Sequence, residues 1–297
     1  MPASCELVNT YEVLEHVMGI KGLHPHRRNT IRDMRLKLVR HVNNAVSLAD
    51  GVVLDIGCGS GAGASELAEM FTNGQRVIGL DINGSAIVNA RRLYGALPNL
   101  SFYHGDVKAL LADNPDLKIS AAICVSVSMF IHDLGEFYKH TYHSLLEGGM
   151  FIDAPFMFRS LDEPLSDDFR SRTYAVCGCN MKMFQLHHLK ATFQKAGFSH
   201  VDCVEHDFDL MKLPVLFEDY PARLLAGNFF KNIMSPPAHF GKISSRYLFI
   251  RTVKIFLFFL KNRHRYAGGE FVAVKPGASG VGTDSGVSIV PSERSVV

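Results

Sequence analysis

Tryptophan is absent and cysteine is scarce, with six in 297 residues. The six are scattered without the dense spacing of a secreted disulfide scaffold or the paired CxxC of a zinc knuckle. Reduced thiols in a cytoplasm are therefore expected, Cys177 and Cys179 included. A long hydrophobic run is missing too. The strongest, Val253 to Leu260, is broken by Lys254 and falls far short of the roughly 20 residues that span a bilayer. The opening MPASCELVNTYEVLEHV places acids where a signal peptide carries a basic region, so no secretory signal is expected. Nor does charge of one sign prevail. The 31 basic and 29 acidic residues leave +2, which announces neither a nucleic acid nor a membrane surface as partner.

What is present describes a folded globular protein. Hydrophobic residues make up 47% and charged residues 20%, which excludes a disordered or collagen-like chain. From residue 51 to about 207, short apolar runs alternate with helical patterns, the signature of βα units around a doubly wound parallel sheet. Strands are expected at Val52 to Ile56, Arg76 to Leu80, Leu100 to Tyr103, Ala121 to Val127, Gly149 to Asp153 and His200 to Glu205. Helices are expected at Ala62 to Phe71, Gly84 to Tyr94, Leu134 to Leu146 and Leu186 to Lys195. Asp133 with Glu136 forms a capping pair at the third of these, and Gly197 closes the last. A further strand, Glu270 to Val274, follows only after a long insertion. Four parts result: a helical N-terminal lid over 1–50, a core over 51–207 plus 268–276, a basic, Phe-rich helical cap over 208–267, and a Gly- and Ser-rich tail over 277–297 expected to be disordered.

The chemistry concentrates after the first strand, in Asp55-Ile-Gly57-Cys-Gly59-Ser-Gly61. Glycines let the chain turn sharply and approach a ligand at the carboxyl edge of the sheet. The same residues fit GxGxxA through Ala62, so a dinucleotide fold stays open here. Asp81 ends the second strand, where a carboxylate can accept from both ribose hydroxyls of either cofactor. Asp106, in His104-Gly-Asp-Val107, offers an acceptor suited to an adenine amino group.

Taken together, VVLDIGCGSG, LDIN with its Ile82, HGDV and LLEGGMFI resemble the motifs of the class I S-adenosylmethionine-dependent methyltransferases. The resemblance implies a Rossmann-like seven-stranded mixed sheet with an antiparallel last strand. It implies S-adenosylmethionine as cofactor, with Asp55, Gly57, Gly59 and Gly61 beneath the methionine and ribose part. Asp81 would bind the ribose, Ile82 would be a further cofactor contact, and Asp106 with Val107 would border the adenine. No [DN]PP[YF] motif follows the fourth strand, which disfavours amino methylation of bases or glutamine. A small-molecule acceptor of specialised or lipid-like metabolism remains, its methylated atom being oxygen, carbon or nitrogen. In-line displacement from a sulfonium needs mainly positioning.

Around this frame stand further candidates. His132, just after the fourth strand, is a candidate general base. Tyr11 is a candidate lid residue over the cofactor. Phe156, Met157, Phe158 and Arg159 follow the fifth strand and are candidate substrate-pocket residues. No metal is expected, the His24-Pro-His26-Arg27-Arg28 cluster having no further ligands, and His187 and His188 read as helix surface. Between Leu210 and Arg265 ten Lys or Arg face only Glu218 and Asp219, an excess of eight positive charges. Such a cap suits an apolar acceptor with an anionic group, although a merely solvated basic face and a membrane-surface helix over 243–260 are alternatives. DNA is not an expected partner. An RNA methyltransferase, and a fold that binds the cofactor without transfer such as a cyclase or regulatory module, are the competing functions.

Overall fold

A computed structural model describes residues 25–159, 182, 184–207, 261 and 265–277. Tyr11, His24, the Cys177 and Cys179 pair, most of the basic cap including 243–260, and nearly all of the tail lie outside the described residues.

Five parallel strands build most of the sheet: β1 (Val52–Ile56), β2 (Val77–Asp81), β3 (Leu100–His104), β4 (Ile119–Val125) and β5 (Leu145–Ala154). Their order is β3-β2-β1-β4-β5. Pro155 has no N–H to give a ladder, and there the chain leaves β5 and resumes as the short β6 (Phe156–Phe158). β7 (His200–Asp207) and β8 (Tyr266–Val274) complete the sheet. β8 runs antiparallel to β5, β6 and β7. Because β7 occupies one edge of β8 from Ala267 to Val274, β6 shares the other edge with β5. The eight strands thus fill seven positions with the last strand antiparallel, as the motifs imply.

β4 ends at Val125, two residues before the expected Val127, where Ser126 turns to φ +58°, whereas β5 and β8 are longer than their sequence patterns suggest by four residues or more. β5 begins at Leu145 and carries the Gly148-Gly149 turn within it: Ile119 pairs with Leu145 but Ala121 with Met150. Gly148 takes φ +76° and donates its N–H to the Lys275 carbonyl. The glycines therefore form an irregularity inside a strand instead of a loop before it. β8 extends back to Tyr266 because β6 and β7 flank its amino-terminal half.

Helices cover both faces. On one lie α1 (Pro25–Asn44), α2 (Ala62–Met70) and α3 (Gly84–Tyr94). On the other lie α4 (Val107–Asp113), α5 (Leu134–Ser144) and α6 (Leu186–Ala196). Ile31, Met34, Leu38 and Val42 recur at helical spacing along α1 and are buried, the last three in the core cluster on this face of the sheet. Short polar side chains start three helices. Asn83 accepts from the N–H groups of Ser85 and Ala86, Asp106 from Ala109, and Asp133 from Glu136. Behind β5 and β8 an aromatic stack forms, with Tyr138 4.1 Å from Phe193 and Phe193 5.6 Å from Phe271 between ring centres. Phe193→Ala should cost about 3 to 5 kcal/mol of stability, measurable by urea denaturation, and a loss below about 1 kcal/mol would contradict this stacking. Among the described residues no helix is long and apolar enough to cross a membrane, and no group of His, Cys, Asp and Glu is placed to hold a metal.

Candidate cofactor site

The carboxyl ends of β1, β2 and β3 converge on the glycine loop. Gly57, Gly59 and Gly61 adopt φ of +72°, +55° and +90°, a region costly for residues with a Cβ. Gly57 and Cys58 both donate their N–H to the Leu80 carbonyl, at 2.8 and 3.0 Å, which moors the loop to the end of β2. A Cβ on Gly57 would lie 2.3 Å from a Val127 methyl, and one on Gly61 2.8 Å from the Phe102 ring.

Asp81 is the hub. One carboxylate oxygen accepts from Gly59 N–H at 2.9 Å and the other from Asn83 N–H at 2.8 Å. Its carbonyl accepts from Gly105 N–H at 2.9 Å, so the loops after β1, β2 and β3 are joined through this one residue. A carboxylate has about four acceptor positions, so each oxygen keeps one for a ligand. Ile82 follows and is 59% exposed, an apolar surface beside that carboxylate. Asp106 is exposed and caps α4 with one oxygen, while Val107 is buried beneath α4 with Leu110. The structure thus brings together Asp55, the three glycines, Asp81 and the Asp106 loop.

The acceptor-side candidates are placed differently. Val127 carries the turn after β4 onto Gly57, and the turn ends at the exposed His132, whose carbonyl accepts from the Lys182 ammonium. Phe156 and Phe158 are buried on one face of β6, with ring centres 6.4 Å apart. Met157 is buried in the core cluster that contains Phe271. Arg159 is exposed and paired with Glu205 at 2.6 Å. His187 and His188 are exposed on α6, as their pattern suggested.

Sequence reasoning missed three charged groups. Arg35 lies on the buried stripe of α1, and its spacing from Ile31 and Leu38 was the available signal. Glu270, 3% exposed, holds Lys37 at 2.5 Å and His206 at 3.0 Å, clasping α1, β7 and β8 together. Asp153 is fully buried at the end of β5 and accepts hydrogen bonds from the hydroxyls of Ser128 and Tyr138. It thereby pins the turn after β4, where Ser126 adopts a φ of +58° and donates its N–H to the Ala154 carbonyl.

Burial pushes Asp153 up to about 7, against the pull of those hydrogen bonds. It pushes Asp55 up to about 6. The native state therefore binds these protons more tightly than the unfolded chain does. Stability should fall as pH rises from the ordinary carboxylate value near 3.8 to about 7, at up to about 1.4 kcal/mol per pH unit and titrating group. Glu270 is held below its ordinary 4.5 by His206 and Lys37, which outweigh its own burial, and so loses stability only under acid. Urea midpoints between pH 5 and 8 should decline with rising pH in the wild type, and in Asp153→Asn the decline should stop above about pH 6, where Asp55 has finished titrating. A wild-type midpoint that rises across this window would refute the assignment.

Residues 53–149 match a family model described as a methyltransferase domain. No curated protein sequence matches the chain. Among solved structures, the [4+2]-cyclase SpnF superposes with a TM-score of 0.61 at 18% identity, over 92% of this chain and 94% of that one. A SAM-dependent methyltransferase from Thiobacillus denitrificans, in complex with S-adenosyl-L-homocysteine, gives 0.57 at 20% identity, over 90% of this chain and 97% of that one. Phosphoethanolamine N-methyltransferase 2 of Haemonchus contortus, in complex with S-adenosyl-L-methionine, gives 0.56 at 17% identity, over 82% of this chain. This chain covers about half (52%) of that protein's length. With this strand order, and with that domain at residues 53–149, the chain has the fold of the class I S-adenosylmethionine-dependent methyltransferases.

Proposed function

We propose that this chain binds S-adenosylmethionine at the glycine loop and transfers its methyl group to an oxygen, carbon or nitrogen of a largely apolar small molecule bearing an anionic group. The observation that carries the reading is the Asp81 hub. A carboxylate fixed by two backbone N–H groups, with acceptor capacity left over and a glycine loop donating to it, suits a ribose whose two hydroxyls need one acceptor group. Bound there, the cofactor supplies a methyl group already activated on sulfonium sulfur. The chain's own residues bind and orient: Asp81 receives the ribose hydroxyls, Ile82 and the Asp106 loop flank the adenine, and the three glycines of the loop let the backbone close on the methionine end. His132 takes the acceptor's proton where the nucleophile is protonated.

For the acceptor, support comes from charge. The eight-positive excess between Leu210 and Arg265 suits an anionic headgroup. Calorimetric titration with S-adenosylmethionine, S-adenosylhomocysteine and NADH tests the cofactor half. Binding of the two sulfur compounds but not NADH is expected, and NADH binding alone would overturn it. The acceptor half is tested with methyl-labelled cofactor and a panel of apolar carboxylates and phosphates. A second reading, cofactor binding without transfer, is favoured by one observation, the superposition on a cyclase over nearly the whole chain. It predicts tight binding with no label transferred. RNA as acceptor predicts instead strongly salt-dependent RNA binding.

A further inference from the structure

Arg35 places a charge on the stripe of α1 where the spacing demands an apolar side chain. The residue is 9% exposed. Its Nη1 donates to Glu66 of α2, while its Nε is the one buried side-chain nitrogen or oxygen among the described residues that has no hydrogen-bond partner. A guanidinium is costly to bury unless opposite charge compensates it. Gly63 makes the room. A Cβ there would stand 2.4 Å from Arg35 Nη2 and 2.9 Å from Asp55 Oδ2, so guanidinium and carboxylate close on the same point at the first turn of α2.

Asp55, 4% exposed at the end of β1, faces charges from every element around it. Arg35 of α1 attracts, while Asp81 of β2 and Glu66 of α2 repel. The nearby thiols of Cys58 and Cys124 are pushed up by burial and stay neutral.

We infer that Arg35 is a positioning residue of the cofactor site: its buried guanidinium holds the Asp55 carboxylate as a negative charge at the root of the glycine loop. Helix α1, outside the stretch that matches the methyltransferase domain, is thereby part of cofactor recognition. The inference rests on the reading of this site as one for S-adenosylmethionine, whose ammonium and sulfonium are both cationic. Burial first, and then the Asp81 and Glu66 charges, raise Asp55, to about 6 with Arg35 opposing them. Without Arg35 every remaining charge around Asp55 acts in the raising direction.

The test is calorimetric titration of S-adenosylmethionine and 5′-methylthioadenosine into wild type, Arg35→Met and Glu66→Gln across the neutral range. Methylthioadenosine keeps the adenine, ribose and sulfur but lacks the cationic end. Wild-type affinity for S-adenosylmethionine should fall as pH drops through about 6. Arg35→Met should move that midpoint up by about one unit or more, weakening binding at pH 7 about twofold for a shift of one unit and about tenfold for two, with affinity restored at higher pH. Glu66→Gln, which removes a repelling charge, should move it down. Methylthioadenosine should show none of these shifts. Coincident pH profiles for wild type and Arg35→Met overturn the inference, as does an equal loss for both ligands at every pH, which marks a purely structural role. Should Arg35→Met fail to fold, Glu66→Gln decides: a lowered midpoint supports the inference and an unmoved one overturns it. Wild type that binds no S-adenosylmethionine at any pH removes the cofactor reading itself, and the inference with it.

Discussion

Asp81→Ala is expected to weaken S-adenosylmethionine binding by about a hundredfold or more while the sheet stays folded. A hydrogen bond to a charged group contributes about 1.5 to 3 kcal/mol, and two ribose hydroxyls share this carboxylate. The alanine also strips the Gly59 and Asn83 N–H groups of their acceptor, so the glycine loop loses a tether to β2. The Gly57 and Cys58 bonds to the Leu80 carbonyl remain, and for that reason the core should survive. Asparagine should rescue little. Both Asp81 oxygens already accept a backbone N–H, so whichever way an amide turns, its NH2 meets a donor. Calorimetry on both variants, with urea midpoints as the control for folding, measures this. Asp81→Asn binding within a few-fold of wild type would mean that the hub is not built as described.

All strands but the short β6, which forms only by pairing with the distant β8, and the cofactor loop were legible because they are local in sequence. A buried parallel strand is a short apolar run, and a loop that needs positive φ needs glycine, so residues 52–61 and 77–83 declare themselves. Capping is equally local, and the Asp133 with Glu136 pair marks the start of α5 as found. What escaped is long-range. Nothing near Glu270 indicates that Lys37 and His206 will meet it, since those partners arrive from α1 and β7. Asp153 reads as an ordinary strand-end acid until Ser128 and Tyr138 are folded against it. Asp106 shows a second kind of limit. Its motif points to adenine and its position points to a helix cap, and the structure uses one of its oxygens for the cap. Arg35 was nearest to being readable, because a charge within an apolar stripe is itself the anomaly.

Gly57→Ala should cost about 2 to 5 kcal/mol of stability, a large share of the 5 to 15 kcal/mol that holds a typical domain together. Two independent penalties add. A residue with a Cβ at φ +72° pays about 1 to 2 kcal/mol for the left-handed backbone. The new methyl also lands 2.3 Å from Val127 Cγ2, an overlap of the overpacking kind that costs about 1 to 3 kcal/mol. Only the second depends on Val127, so a double-mutant cycle separates them. Val127→Ala alone should destabilise mildly by leaving a small void. Added to Gly57→Ala it should instead stabilise, because it removes the overlap and leaves the backbone penalty. Cofactor affinity should not return with stability, since the loop at φ +72° is what presents the backbone to the ligand. Strictly additive urea midpoints across the cycle would show that Val127 does not press on the glycine loop. The turn after β4, and with it His132, would then have no contact through which to share the cofactor site.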